Sequence, residues 1–228
     1  MVICQNIATF AFIILQTSLK IMSLIEIKKV ETKKDLKTFI DFHYDLYEGN
    51  EYDVPNLFSD EMNTLSKDRN AAFEFCESEY FLAYKDGKLA GRVAAIINHK
   101  ANERWNCKSV RFGWIDFIDD REVSKALLQA VEDYGKSKGM DNVVGPLGFT
   151  DMDPEGMLTW GFDQLGTMPT IYNYSYYPEH IEALAGYEVD NKYVEYKLIV
   201  PDTVPEKYAK IAAMIEKRYN LHVRKLTK

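Results

Sequence analysis

An aspartate among apolar neighbours is the most chemically suggestive feature of this chain. The run Val110 to Ile118 alternates as a strand does, placing Val110, Phe112, Trp114, Asp116 and Ile118 on one face and Arg111, Gly113, Ile115 and Phe117 on the other. Desolvation on that apolar face raises a carboxyl's pKa toward the range of a general base. The competing reading is a buried acid paired with Arg92 or Arg111. From Gly145 to Tyr177 glycine, proline and aromatics follow one another without a period, as in a long ordered loop. Its Trp160, Tyr172, Asn173 and Tyr176, with Phe162, Tyr174 and Tyr177, can line a mostly apolar pocket with a few polar handles. They can equally form the loop's own small core, and both can hold at once. Asp119, Asp120 and Glu122 precede an apolar helical stripe, where capping and the helix dipole favour negative charge by about 0.3 to 1 kcal/mol each. His43 is a lone histidine on an apolar helical face, which reads as a packing residue. Cys4, Cys76 and Cys107 are widely spaced and accompany only four histidines, so neither a metal cage nor a disulfide framework is indicated.

The elements that must position these residues can be read in order. Leu24 to Val30 partly alternates as a strand, and Thr32 with Asp35 resembles a helix cap before the stripe Leu36, Phe39, Ile40, His43 and Tyr47. Gly49 to Pro55 breaks that helix, and Leu57 to Phe75 is irregularly helical. Two apolar runs, Tyr80 to Tyr84 and Leu89 to Asn98, flank Asp86-Gly87 and predict a hairpin. After the Asp116 strand, Val123, Leu127, Ala130, Val131 and Tyr134 stripe a helix that ends at Gly139. Asn142 to Gly145 then reads as a short strand of the same sheet. Pro178 to Ala185 is a short helix, Tyr187 to Val200 one strand or a bent pair, and Thr203 with Glu206 caps a helix striped by Tyr208, Ile211, Ala212, Ile215 and Tyr219. With 228 residues, 46% hydrophobic and 28% charged, the chain has room for a real core and is neither a disordered tail nor a multi-span membrane protein. A net charge of -7 disfavours a nucleic-acid partner. The expected compartment is the cytoplasm, with no membrane partner.

This order of elements resembles the GNAT acyltransferase fold, over Leu24 to about Val200. Val54-Pro55 with Leu57, Phe81-Leu82-Ala83 through Asp86-Gly87 to Gly91-Arg92, Gly145-Pro146, Gly156, Gly161-Phe162-Asp163, Tyr172-Asn173 and Tyr176-Tyr177 look like a largely uncharacterised bacterial group of that superfamily. The resemblance implies an α/β (α+β) fold whose mixed central sheet, flanked by helices, splays open after its fourth strand to admit acyl-CoA. It implies donor contacts at Phe117, Ile118, Val123, Ser124 and Lys125, while the loop residues Trp160, Tyr172, Asn173 and Tyr176 are the candidate substrate contacts and no metal is expected. Acyl transfer needs a base and an acid: Asp116, on its apolar strand face, is the candidate base that deprotonates an amine, and Tyr177, beside Tyr176, substitutes as the acid that protonates the leaving thiolate, Glu182 standing where the family's usual tyrosine would be. Aromatic wall is the competing reading for those tyrosines. With Leu127-Leu128 aligned to the family's leucine pair, Asp119, Glu122 and Ser124 replace the residues that normally cradle the CoA diphosphate, and a carboxylate at Glu122 opposes that anion.

The implied activity is transfer of an acyl group from acyl-CoA (acetyl-CoA) to a small amine or amino acid. The alternative is a non-catalytic ligand-binding domain that lost the diphosphate loop. Residues 1–21 read as an extension outside the fold, 22–200 as the GNAT-like domain, and 201–228 as a helix and strand that open a truncated second module. Those last elements either support self-association through the helix or dock on the first domain and fray.

Overall fold

The computed structural model of the chain describes residues 24–167 and 170–226, so the extension expected at 1–21 lies outside the described residues. The chain forms two compact units, one up to Tyr187 and one from Glu188. The first is built on a five-stranded sheet in the order β1 (Ile25–Lys29), β2 (Cys76–Lys85), β3 (Lys88–Asn98), β4 (Ser109–Phe117) and β5 (Asn142–Val144). The first four strands are antiparallel neighbours, and β5 runs parallel to β4 through only three residue pairs, Ser109 to Arg111 against Asn142 to Val144. The regular ladder ends at Arg111, although the Leu147 N–H still donates to the Phe112 carbonyl at 2.8 Å.

Helices cover both faces of the sheet. On one side α4 (Arg121–Ser137) lays Val123, Leu127, Leu128 and Val131 against Phe81, Val93, Ala95, Val110, Phe112 and Phe117. Gly135 permits that approach, because a Cβ there would lie 2.5 Å from a Val110 methyl. On the other side α1 (Lys33–Leu46) and α2 (Phe58–Leu65) pack Leu36, Phe39, Ile40 and Leu65 against Tyr80, Leu82, Ala94 and Ile96. The cap expected at Thr32 is a full capping box: its hydroxyl accepts from Asp35 N–H at 3.1 Å while the Asp35 carboxylate accepts from Thr32 N–H at 3.0 Å. The expected hairpin turns at Asp86-Gly87, both residues having positive φ. A helix the sequence reading omits, α3 (His99–Trp105), has no buried residue and hence no apolar period by which to read it.

The strict alternation expected in β4 does not hold. Arg92 pairs with Asp116 and Ala94 with Gly113, so Trp114 and Ile115 together oppose the single Val93. Trp114 takes up the extra residue at φ 45°, in the left-handed region. The bulge moves Asp116 off the face of Val110 and Phe112: those two lie in the core under α4, whereas Asp116 faces α1 with Arg92 and Trp114.

A short helix, α5 (Tyr176–Glu182), closes the first unit's chemistry-bearing end. In the second unit α6 (Glu206–Tyr219) starts behind Pro205 with no side-chain cap, so the expected Thr203–Glu206 cap is not formed. Residues 188–200 and 221–226 carry no strand. Strands form through hydrogen-bonded partners, and none is described for these segments.

Candidate active site

Asp116 is the hub of the buried polar network that forms at the end of β4. From β3, Arg92 sets its Nε and Nη2 2.8 and 2.7 Å from Asp116 Oδ2, and its Nη1 donates to the Phe39 carbonyl at 2.9 Å. From α1, His43 Nδ1 lies 3.1 Å from the same carboxylate oxygen. The Tyr177 hydroxyl, from α5, donates to Asp116 Oδ1 at 3.1 Å and accepts from the Phe117 N–H at 3.1 Å. Tyr47, one turn after His43, has its hydroxyl 3.0 Å from that of Tyr177. The bulge at Trp114 makes this possible by turning Asp116 toward α1.

The electrostatics differ from those expected. Burial alone would push the Asp116 carboxyl up, but Arg92 and His43 outweigh it and hold the group at about 2. Asp116 is therefore the arginine-paired acid, Arg92 being the partner, and a weak base. Arg111 instead donates to the Gly148 carbonyl at 2.9 Å. Burial lowers the His43 imidazole, yet the charge of Asp116 and the contacts to Asp116 and Asp53 raise it to about 9. Its Nε2 stands 3.4 Å from Asp53 Oδ2. Burial and the Asp116 charge raise the Tyr177 phenol well above its ordinary value, which ill suits it to protonate a thiolate.

A cavity opens beside this network, with about 830 Å³ of unfilled space including its mouth. Asp116, Tyr177, Tyr172 and Asn173 line it, as do His43, Asp53, Glu61 and Trp114. Asn173 is itself a brace, its Oδ1 accepting from Leu158 N–H at 2.7 Å. Trp160 is 85% exposed and outside the cavity. Tyr176 also lies outside it and donates to the Phe117 carbonyl at 2.7 Å. His43 was legible only as a helix-face residue, since its partners are 10 and 73 positions away; nothing local marks Asp53 or Glu61.

The expected donor contacts are largely spent within the protein. Phe117 and Val123 are fully buried, and both backbone polar groups of Phe117 are satisfied by Tyr176 and Tyr177. Ser124 Oγ donates to the Arg121 carbonyl and lies 3.1 Å from His180 Nδ1, while His180 Nε2 is 3.0 Å from Asp119. Ile118 is half-buried and Lys125 exposed. At the start of α4, Asp120 accepts from the N–H groups of Glu122 and Val123 at 3.0 and 3.4 Å and pairs with Lys85. A carboxylate of the protein thus fills the place where a diphosphate would meet a helix N-terminus, so these residues do not fit that mode of CoA binding. Asp120, rather than Glu122, is the group in the way.

No family model matches the chain. Among curated proteins it is 34% identical over 155 residues to Protein YghO of Escherichia coli K12, covering 68% of this chain and 39% of that protein. It is 30% identical over 135 residues to the bacterial ceramide synthase of Caulobacter vibrioides, covering 59% of this chain and 35% of that protein. The chain spans well under half the length of either. Solved structures that align with it include AAC(6')-Iy bound to a bisubstrate analogue, at 17% identity and TM-score 0.46 over 78% of this chain and all of the other. A predicted acetyltransferase with acetyl-CoA from Clostridium acetobutylicum aligns at 8% identity and TM-score 0.45, over 76% of this chain and 96% of the other. The fold of this chain is GNAT-like on the strength of its own sheet, mixed, covered by helices on both faces, with a short parallel fifth strand beside a bulged fourth strand.

Proposed function

We propose that the chain transfers an acyl group from a thioester donor to a primary amine, with His43 carrying the proton. The observation that supports this most directly is the imidazole set between Asp116 and Asp53 on the wall of the cavity. Acyl transfer needs a group that takes a proton from the attacking nitrogen and returns it to the departing sulfur. An imidazolium near 9 is matched to a thiol, whose ordinary pKa is about 8.5, so proton delivery to sulfur is nearly balanced. The amine nitrogen attacks the thioester carbonyl carbon, the C–N bond forms and the C–S bond breaks. The His43 imidazolium gives its proton to the departing thiolate, and the neutral imidazole left behind takes the proton released from the nitrogen, giving an amide and a free thiol. Asp116 acts as a positioning residue: held by Arg92 and Tyr177, it fixes the imidazole by its Nδ1 and leaves Nε2 toward Asp53 and the cavity. The name of the Caulobacter relative, a ceramide synthase, denotes an amide product and so agrees with an amine acceptor.

A second reading, a binding domain without turnover, is favoured by Asp120, which fills the helix N-terminus where a CoA diphosphate would sit. The two separate in one experiment. The purified chain is incubated with acetyl-, octanoyl- and palmitoyl-CoA and a panel of primary amines, and products are weighed by mass spectrometry. The proposal expects an amide and one equivalent of free thiol; binding of donor and amine with no amide would establish the second reading.

A further inference from the structure

The cavity holds more negative charge than its own cations balance. Among the described residues three carboxylates line it, Asp53, Glu61 and Asp116, against two cations, Arg92 and His43. Arg92 is consumed by Asp116 and the Phe39 carbonyl. Glu61 is 8% exposed and is held by two neutral donors, Trp114 Nε1 at 2.7 Å and Asn56 Nδ2 at 3.0 Å. The left-handed Trp114 of the β4 bulge thus braces an acid that has no cationic partner among the described residues. The Asp53 side chain is 8% exposed, and apart from His43 Nε2 at 3.4 Å its carboxylate has no polar partner among the described residues. Buried carboxylates left short of cations are costly unless something brings the charge. Ile40, Val54, Pro55, Ile115, Met157 and Ile171 give the cavity an apolar side, beside the polar groups of Asn56, Thr170, Asn173 and three tyrosines.

We propose that Asp53 and Glu61 form a seat for the cationic head of a primary alkylamine whose apolar tail lies along that apolar side. An ammonium offers three donors and no acceptor, which suits two carboxylates with open lone pairs. The same inventory argues against an α-amino acid: its carboxylate would need a cation, and the cavity's arginine is already spent. The acceptor class therefore narrows from amines and amino acids to amines with no neighbouring carboxylate. The proposal rests on the acyl-transfer reading only for what then happens to the bound amine.

The test is equilibrium binding of three probes with chains of equal length, octylammonium, octanol and 2-aminooctanoate, to the full chain by calorimetry at pH 7. Octylammonium is expected to bind at least 10-fold more tightly than the other two. Asp53→Asn and Glu61→Gln should each reduce the octylammonium-to-octanol ratio at least threefold while leaving octanol affinity unchanged, which also reports that the cavity is intact. Glu61→Gln keeps an acceptor for the Trp114 indole. Equal affinity for the three probes, or a ratio untouched in both variants, would overturn the seat. Selective binding of octylammonium without amide formation would leave the seat standing and defeat the acyl-transfer reading. Amide formation with KM for the amine unchanged in both variants would do the reverse.

Discussion

Replacing Asp116 by asparagine preserves shape and removes the charge on which Arg92 and His43 both depend, so its consequences can be worked out in advance. A rise in the His43 pKa from 6.5 to about 9 on folding corresponds to roughly 3 kcal/mol of stability. Because the folded value is the higher one, that contribution is complete below pH 6.5 and is lost as pH climbs through 9. Urea denaturation between pH 6 and 9.5 should therefore show wild-type stability falling by about 3 kcal/mol across the window, with His43→Gln isolating the histidine's share. In Asp116→Asn the slope should shrink sharply, since only Asp53 remains to favour the imidazolium. Stability at pH 6 should also drop, by about 3 to 5 kcal/mol, because Arg92, 4% exposed, is left as an unpaired buried cation. An NMR titration of His43 provides the direct reading, near 9 in the wild type and lower in the variant. A wild-type stability that is flat across this range, or a His43 that titrates alike in both proteins, would refute the assigned network.

Other consequences follow from the same geometry. Since Asp120 already satisfies the first amides of α4, an acyl-CoA and the matching acyl-pantetheine should bind within about threefold of each other, as measured by calorimetry; Glu122→Gly should change neither affinity, whereas Asp120→Gly should favour the CoA form. Tyr177→Phe removes the donor to Asp116 and the acceptor for Phe117 N–H, and chemical denaturation should register a loss of about 1 to 3 kcal/mol. Trp160→Ala, at a position 85% exposed, should leave acceptor binding and melting temperature unchanged in parallel titration and melting experiments.

What could be read from the chain was whatever a local pattern governs. The capping box at Thr32 and Asp35, the hairpin around Asp86-Gly87 and the buried stripe of α4 follow from spacings of a few residues. The face on which Asp116 lies did not, because one extra residue in β4 reverses every side chain beyond it and nothing in Gly113-Trp114-Ile115 announces the bulge. His43 illustrates a different limit. On its helix it is one more position of an apolar stripe, and only the fold brings Asp53 from a loop and Asp116 from a strand to its two nitrogens. The run Asp119 to Glu122 was legible as a capping cluster, and its Asp120 is the cap. That Asp119 pairs with His180 of α5 instead required the tertiary structure. The regular strands expected in 187–200 and 221–226 rested on alternation alone, which supplies no partner to pair with.

The central claim is that His43 moves the proton in an amide-forming reaction, and single-turnover amide formation in wild type and His43→Gln tests it most directly. With octanoyl-CoA and octylamine at saturating concentrations, the wild type should convert bound donor to amide with one thiol released per amide. The variant should be about 10² to 10⁴ slower, with donor and amine dissociation constants changed by less than about threefold, as for a residue acting in the proton transfer of the chemical step. An equal rate in His43→Gln, with amide formed by both proteins, would contradict the account.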